Sequence, residues 1–228
     1  MRLDRSFISK LVAELVGTFS LVAIIIVMAQ TIGQPFLTGI GAALVLATFV
    51  TSIGVISGAH LNPAVTLGLM SLRKIRPLEA LGYLIVQFLG AFAALQLVEY
   101  MYGAKLPGEN KTGSFDAKIF VAEVIGTAVF TWGIASVVSR KVEGYQASAA
   151  IGTSLFIGIM LASMSQGAGF INPAVAFASK ALNLNTVFAP IVGSIFAMNL
   201  YNIISPAEAA VVSAPATSKT KSTVKKRK

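Results

Sequence analysis

The sequence predicts an all-α membrane protein with six transmembrane helices and two short re-entrant half-helices, built as an inverted internal repeat. Three observations carry this reading. Only 12% of the 228 residues are Asp, Glu, Lys or Arg, about half the share in an average soluble domain, while 55% are hydrophobic. The charges are confined to a few short stretches between long apolar runs, which leaves no material for a charged, water-facing surface. Finally, the chain repeats itself, with Asn-Pro-Ala-Val at 62–65 and again at 172–175.

Each element follows from the run of residues. A hydrocarbon layer of roughly 30 Å takes about 20 helical residues to cross. Six apolar runs reach about that length: 8–30, 37–57, 79–102, 118–138, 147–165 and 186–205. Arg2, Arg5 and Lys10 precede the first as they would in a secretory signal. Its length, Glu14 inside it and the ending Gln30-Thr31-Ile32-Gly33 predict a retained helix instead. Two intervals, 58–72 and 167–182, are neither long spans nor polar loops. In both, small residues lead into Asn-Pro-Ala-Val and a helical apolar pattern follows. Asn caps a helix, Pro suits its first turn, where no amide donor is wanted, and Ala permits close approach.

The duplication fixes the topology. Asn62 and Asn172 are 110 residues apart, and Ala13-Glu14-Leu15-Val16-Gly17-Thr18 matches Ala122-Glu123-Val124-Ile125-Gly126-Thr127 at an offset of 109. Repeat 1 covers about 7–102 and repeat 2 about 116–205. Each holds three spans, an odd number, so the second copy enters the membrane in the opposite orientation. Basic residues agree with both termini being cytoplasmic. The inner segments then carry Arg2, Arg5, Lys10, Arg73, Lys74, Arg76, Arg140 and Lys141, and the outer ones only Lys105, Lys111, Lys118 and Lys180. Residues 206–228 add six more basic residues among Ser, Thr, Ala and Pro, and read as a disordered cytoplasmic tail behind a membrane domain of 1–205.

Several function classes are disfavoured by what the chain lacks. It contains no cysteine, so thiol catalysis, disulfides and thiolate metal sites are out. One histidine, His60, and nine carboxylates placed mostly near span ends or in loops offer little for a metal cluster or an acid/base pair. No enzyme activity, metal, cofactor or nucleic-acid partner is expected.

The half-spans point to a site. Non-helical backbone cannot face lipid, so each re-entrant segment must pack inside protein or line a water-filled path. In inverted repeats the two half-helices enter from opposite sides and their N-termini meet near the midplane. The amides of Asn62 and Asn172 can then donate into one spot, beside two positive helix ends. Such a spot suits the oxygen of a neutral solute and repels cations. Glu14 and Glu123 inside spans could form a proton relay, but their symmetric placement favours structural support. His60 could be a pH gate, yet two residues before Asn62 it reads as loop packing that faces the cytoplasmic vestibule. Gly54 and Gly58, four apart, read as a close helix approach.

Ser57-Gly58-Ala59-His60-Leu61-Asn62-Pro63-Ala64-Val65-Thr66-Leu67-Gly68, together with Asn172-Pro173-Ala174 and the paired Ala-Glu-x-x-Gly-Thr openings, resembles the aquaporin/glycerol-facilitator (major intrinsic protein) family over roughly residues 7–205. The short loops and compact length suggest a plasma membrane, while the resemblance implies a right-handed bundle with one pore per subunit, usually a homotetramer. It implies passive conduction of water or small uncharged solutes, with Asn62, Pro63, Ala64, Asn172, Pro173 and Ala174 at the pore midplane. The equivalent of Glu14 and Glu123 in that family accepts hydrogen bonds from the re-entrant backbone. The chain departs from the pattern at Val175, where the family usually carries an Arg that narrows and charges the outer filter. The remaining filter positions implied are Ala42, Ile159 or Met160, and Gly169, all small or apolar. Tyr102, Lys180 and Pro190-Ile191 match glycerol-type members, while Ala176 stands where those usually have Asp. The expectation is a broad pore for water and glycerol-type solutes. The alternatives are a strict water channel, a non-conducting structural protein of the same fold, or a secondary transporter.

Overall fold

The computed structural model describes residues 5–106, 115–165 and 169–205. The expected tail at 206–228, residues 166–168 of the second re-entrant segment, and the basic residues Arg2 and Lys111 lie outside them. Eight α-helices follow in order: α1 Arg5–Thr31, α2 Pro35–Ser57, α3 Pro63–Ser71, α4 Pro77–Tyr102, α5 Ala117–Ser139, α6 Gly144–Ala162, α7 Pro173–Ala178 and α8 Leu184–Ile204. A single 3-10 turn, Ser163–Ser165, extends α6. The six long helices are all long and apolar enough to cross a membrane. The two short ones fall in the intervals that were too short to span. They begin at the proline of each Asn-Pro-Ala, where the missing N–H costs nothing.

Hydrogen bonds fix the relative directions of α1, α4, α5 and α8. Lys10 near the start of α1 donates to Glu79 near the start of α4 at 2.7 Å, so these two helices run in parallel. Asp116 at the start of α5 donates its N–H to Asn185 at the start of α8 at 3.4 Å, so these two do as well. Lys180, just before α8, reaches Glu99 near the end of α4 at 2.7 Å. The second parallel pair therefore starts at the end of the bundle where the first pair finishes, and the repeats are antiparallel to one another.

The same glycine device closes both pairs. A β-carbon at Gly90 of α4 would stand 2.5 Å from the Leu15 carbonyl and 3.0 Å from the Phe19 N–H nitrogen of α1. One at Gly193 of α8 would run into the Val124 carbonyl of α5. Leu15 and Val124 are themselves offset by 109 in the sequence, so the close approach is duplicated with the helices that make it. Small residues at the seam serve because lipid supplies no hydrophobic drive between helices, and close packing must hold them together.

One expectation is corrected. Gly54 does not mark a close helix approach, since a β-carbon there would meet only Val50 of its own helix, at 3.9 Å. Gly58 instead ends α2 in the left-handed conformation, φ 89°, with its N–H bonded to the Gly54 carbonyl. That glycine is there to turn the chain into the re-entrant loop.

Gly90→Val and Gly193→Val should each lower the thermal midpoint in detergent by the equivalent of about 1–3 kcal/mol or more, because the added carbon meets backbone. Gly54→Ala should leave the midpoint unchanged or raise it. Size-exclusion recovery after a temperature series measures all three.

Candidate functional site

Residues 58–62 and 169–172 are the non-helical approaches to α3 and α7, and their left-handed backbone positions recur at matching places. Ala59 and Leu61 have φ of 49° and 50°, and their counterparts Gly169 and Ile171 have 64° and 40°. A left-handed residue with a side chain costs roughly 1–2 kcal/mol, and a β-branched one such as Ile171 is rarer still. Such strain persists only where the surroundings over-determine it.

Two buried carboxylates do so. Glu14, wholly buried in α1, accepts from the N–H groups of His60 at 2.9 Å and Leu61 at 2.8 Å. Glu123, 1% exposed in α5, accepts from Phe170 at 2.8 Å and Ile171 at 2.7 Å. Each carboxylate thus holds two successive amides that no helix satisfies. Glu14 also receives the Ser57 hydroxyl at 2.7 Å and the Gln87 amide at 2.8 Å. Gln87 in turn donates to Thr66 at 3.0 Å, and Thr66 lies 3.1 Å from His60 Nδ1. His60, 8% exposed, packs edge-on against Tyr83. In the second repeat Thr66 is matched by Ala176, and Gln87, three residues before Gly90, by Pro190, three before Gly193. Glu123 has no side-chain donor among the described residues.

At the junction the two asparagines cross. The Asn62 side-chain oxygen caps its own half-helix, accepting from Ala64 N–H at 2.8 Å, and that of Asn172 accepts from Ala174 at 2.9 Å. One amide hydrogen of Asn62 goes to the Ile171 carbonyl at 2.9 Å, and one of Asn172 goes to the Leu61 carbonyl at 3.0 Å. The N-termini of α3 and α7 therefore meet, and each carboxamide keeps its second N–H available. Among the described residues no protein donor engages the carbonyls of Gly58, Ala59 and His60 on one side, or of Gly169 and Phe170 on the other. The arrangement is two donors between two short runs of free acceptors.

The other candidate positions divide between two apolar clusters. Ala42 and Ile159 are buried in one, with Leu21, Leu46, Phe130 and Ile171, and Met160, only partly buried, packs against it. Val175, 2% exposed, belongs to the other, with Val22, Ile26, Ala91, Leu95 and Val98. Gly169 offers bare backbone, because a β-carbon there would stand 2.5 Å from Ser163 Oγ and 2.9 Å from the Ile159 carbonyl. Of the positions matched to glycerol-type members, Tyr102 is 44% exposed, Ala176 and Pro190 are buried, and Lys180 is ion-paired to Glu99. Two residues escaped the sequence reading. Phe170, the positional counterpart of His60, is partly exposed and packs against the Val175 cluster. Glu99 binds Lys105 and Lys180. The offset of 110 would have pointed to Phe170, whereas Glu99 carried no signal.

Six apolar spans enclosing two half-helices that meet N-terminus to N-terminus, in two antiparallel copies, define a class of integral membrane protein. The comparisons identify the family. The family model described as major intrinsic protein matches residues 3–201, and the chain belongs to that family. Aquaporin-1 of Rattus norvegicus is 37% identical over 174 residues, 70% of this chain and 64% of that protein. Aquaporin NIP3-1 of Arabidopsis thaliana is 34% identical over 185 residues, 74% of this chain and 57% of that one. The chain thus spans somewhat under two thirds of these relatives' length. Among solved structures, the aquaglyceroporin of Plasmodium falciparum superposes with a TM-score of 0.68 at 24% identity, covering 87% of this chain and 96% of that one, which shows the shared fold.

Replacing either carboxylate by its amide strands donors against an NH2 group, at about 1–3 kcal/mol for each. Among the described residues Glu14→Gln sets two donors against the new NH2 group and Glu123→Gln one, so Glu14→Gln should cost about twice as much. Paired thermal midpoints in detergent check the ratio.

Proposed function

We propose that the protein is a passive channel for water and small neutral solutes. The observation that carries the reading is the set of five carbonyls that are unpaired among the described residues, alongside the second amide hydrogens of Asn62 and Asn172. At membrane depth an unsatisfied backbone group costs several kcal/mol unless water reaches it. Acceptors that the fold deliberately turns away from the helices therefore belong beside a wet path. A solute moving there exchanges one protein hydrogen bond for the next, accepting at the midpoint and donating on either side. The meeting N-termini of α3 and α7 disfavour cations at that midpoint.

The path runs past Ala42, Met160, Gly169 and Val175 to the junction of Asn62-Pro63-Ala64 with Asn172-Pro173-Ala174, and on to a vestibule at His60. Met160 takes the sixth-helix position over Ile159 because it is the less buried of the two. With Val175 in place of a cation, the outer filter carries neither charge nor donor, which favours solutes that present carbon as well as hydroxyl, such as glycerol. A strict water channel is the second reading, favoured by the nearly complete burial of Val175 among apolar side chains. Coupled transport is not favoured, since Glu14 and Glu123 each hold a re-entrant loop. The channel occupies 1–205, with 206–228 as a basic tail. The excess of basic residues near the start of α1 and between α3 and α4 supports a cytoplasmic location for both termini. A homotetramer in the plasma membrane completes the proposal.

Stopped-flow light scattering on proteoliposomes tests it. Water efflux and glycerol entry should both exceed those of empty vesicles, and Asn62→Leu with Asn172→Leu should abolish both while the protein still inserts. Val175→Arg should reduce glycerol entry more than water efflux. Undiminished flux in the double variant would remove the path from this junction.

A further inference from the structure

Glu99 stands outside the path just described, yet it gathers more charge than any other buried group among the described residues. It is 5% exposed, near the end of α4. Lys180 Nζ donates to its Oε1 at 2.7 Å and Lys105 Nζ to its Oε2 at 2.6 Å, while the Leu106 N–H adds a third bond at 3.1 Å. Lys180 also donates to the Leu106 carbonyl at 2.9 Å. One carboxylate therefore ties together the end of α4, the segment 103–106 and the chain that leaves α7.

Lys180 is a rigid handle on α7. Its backbone is left-handed, φ 54°. Its N–H bonds the Phe177 carbonyl at 3.0 Å, and the following N–H of Ala181 bonds Ala176 at 2.9 Å. This pair of bonds is a Schellman ending, which locks the residue after the helix to the helix itself. A pull on the Lys180 side chain is thus a pull on α7, whose Val175 lies one turn earlier. Val175, Ala178, Val98 and Leu106 share one apolar cluster with Val22 and Ile26 of α1, so the segments joined by Glu99 all contribute to the cluster that holds Val175. Glu99 is buried while Lys180 is about one third exposed, and removing one partner of such a pair leaves the other charge uncompensated against the protein.

We propose that Glu99 is a positioning residue for the outer aperture: through Lys180 it holds α7 so that Val175 stands at a fixed distance from the opposite wall, and this sets the size limit for solutes. The proposal rests on the channel reading and deepens it. Without the tie, α7 relaxes outward and larger solutes gain on water.

The test uses the full chain in proteoliposomes, with the ratio of glycerol to water permeability as the readout, since fewer folded channels lower both rates but leave their ratio alone. Glu99→Gln and Lys180→Met should each raise the ratio about threefold, and the double variant should raise it no further, as expected for one shared interaction. Lys10→Met, which breaks the ion pair at the opposite end of the bundle, should leave the ratio at the wild-type value. If Glu99→Gln fails to fold, Lys180→Met carries the test alone. A conducting wild type whose ratio is unchanged or lowered in the variants overturns this proposal and leaves the channel reading standing. A wild type without flux overturns both.

Discussion

The crossed pair of asparagines is the constraint that the rest of the molecule serves. Two half-helices can meet end to end inside a membrane only if their exposed N–H groups and the strained chain leading to them are satisfied without lipid or bulk water. Asn62 and Asn172 do this reciprocally, each capping its own helix and bonding the carbonyl that precedes the other's cap. The crossing requires Leu61 and Ile171 to be left-handed, and that requires Glu14 and Glu123 to hold their amides. The carboxylates are in place only because α1 and α5 pack hard against α4 and α8, through Gly90 and Gly193. Each layer exists to permit the one inside it.

The two halves have not remained equal. Around Glu14 the first repeat keeps a polar mesh of Ser57, Thr66, Gln87 and His60. The second repeat has apolar Ala176 and Pro190 at the matching places, and among the described residues Glu123 makes two backbone bonds. Support for α7 comes from its far end instead, through Lys180 and Glu99. The end of the bundle that holds Lys10 and Glu79 is thus braced at the loop, and the other end at the helix terminus.

Most of the architecture was legible because it is written in periodicities that tertiary structure does not alter. Six apolar runs became six helices, and a repeated Asn-Pro-Ala opened both short ones. The carboxylates were legible through symmetry, since a buried charge placed twice at the same offset calls for a common structural role. Gly54 and Gly58 were misread because spacing alone cannot distinguish a helix seam from a left-handed cap. Glu99 was invisible for a different reason. Its partner Lys180 lies 81 residues away, and a carboxylate near a span end looks like ordinary interfacial charge until the fold closes around it.

The central claim is that a continuous file of water runs past both re-entrant loops and the asparagine crossing. Radiolytic hydroxyl labelling of the intact protein, read by mass spectrometry, tests it directly, because oxidation inside a protein requires water beside the side chain. Met160, Phe170 and His60 should be labelled, while Met198 and Phe130, which are 0% and 2% exposed within the core, should be protected. Protection of Met160, Phe170 and His60 to the same degree as Met198 and Phe130 would mean that no water passes the junction, and the account would fall.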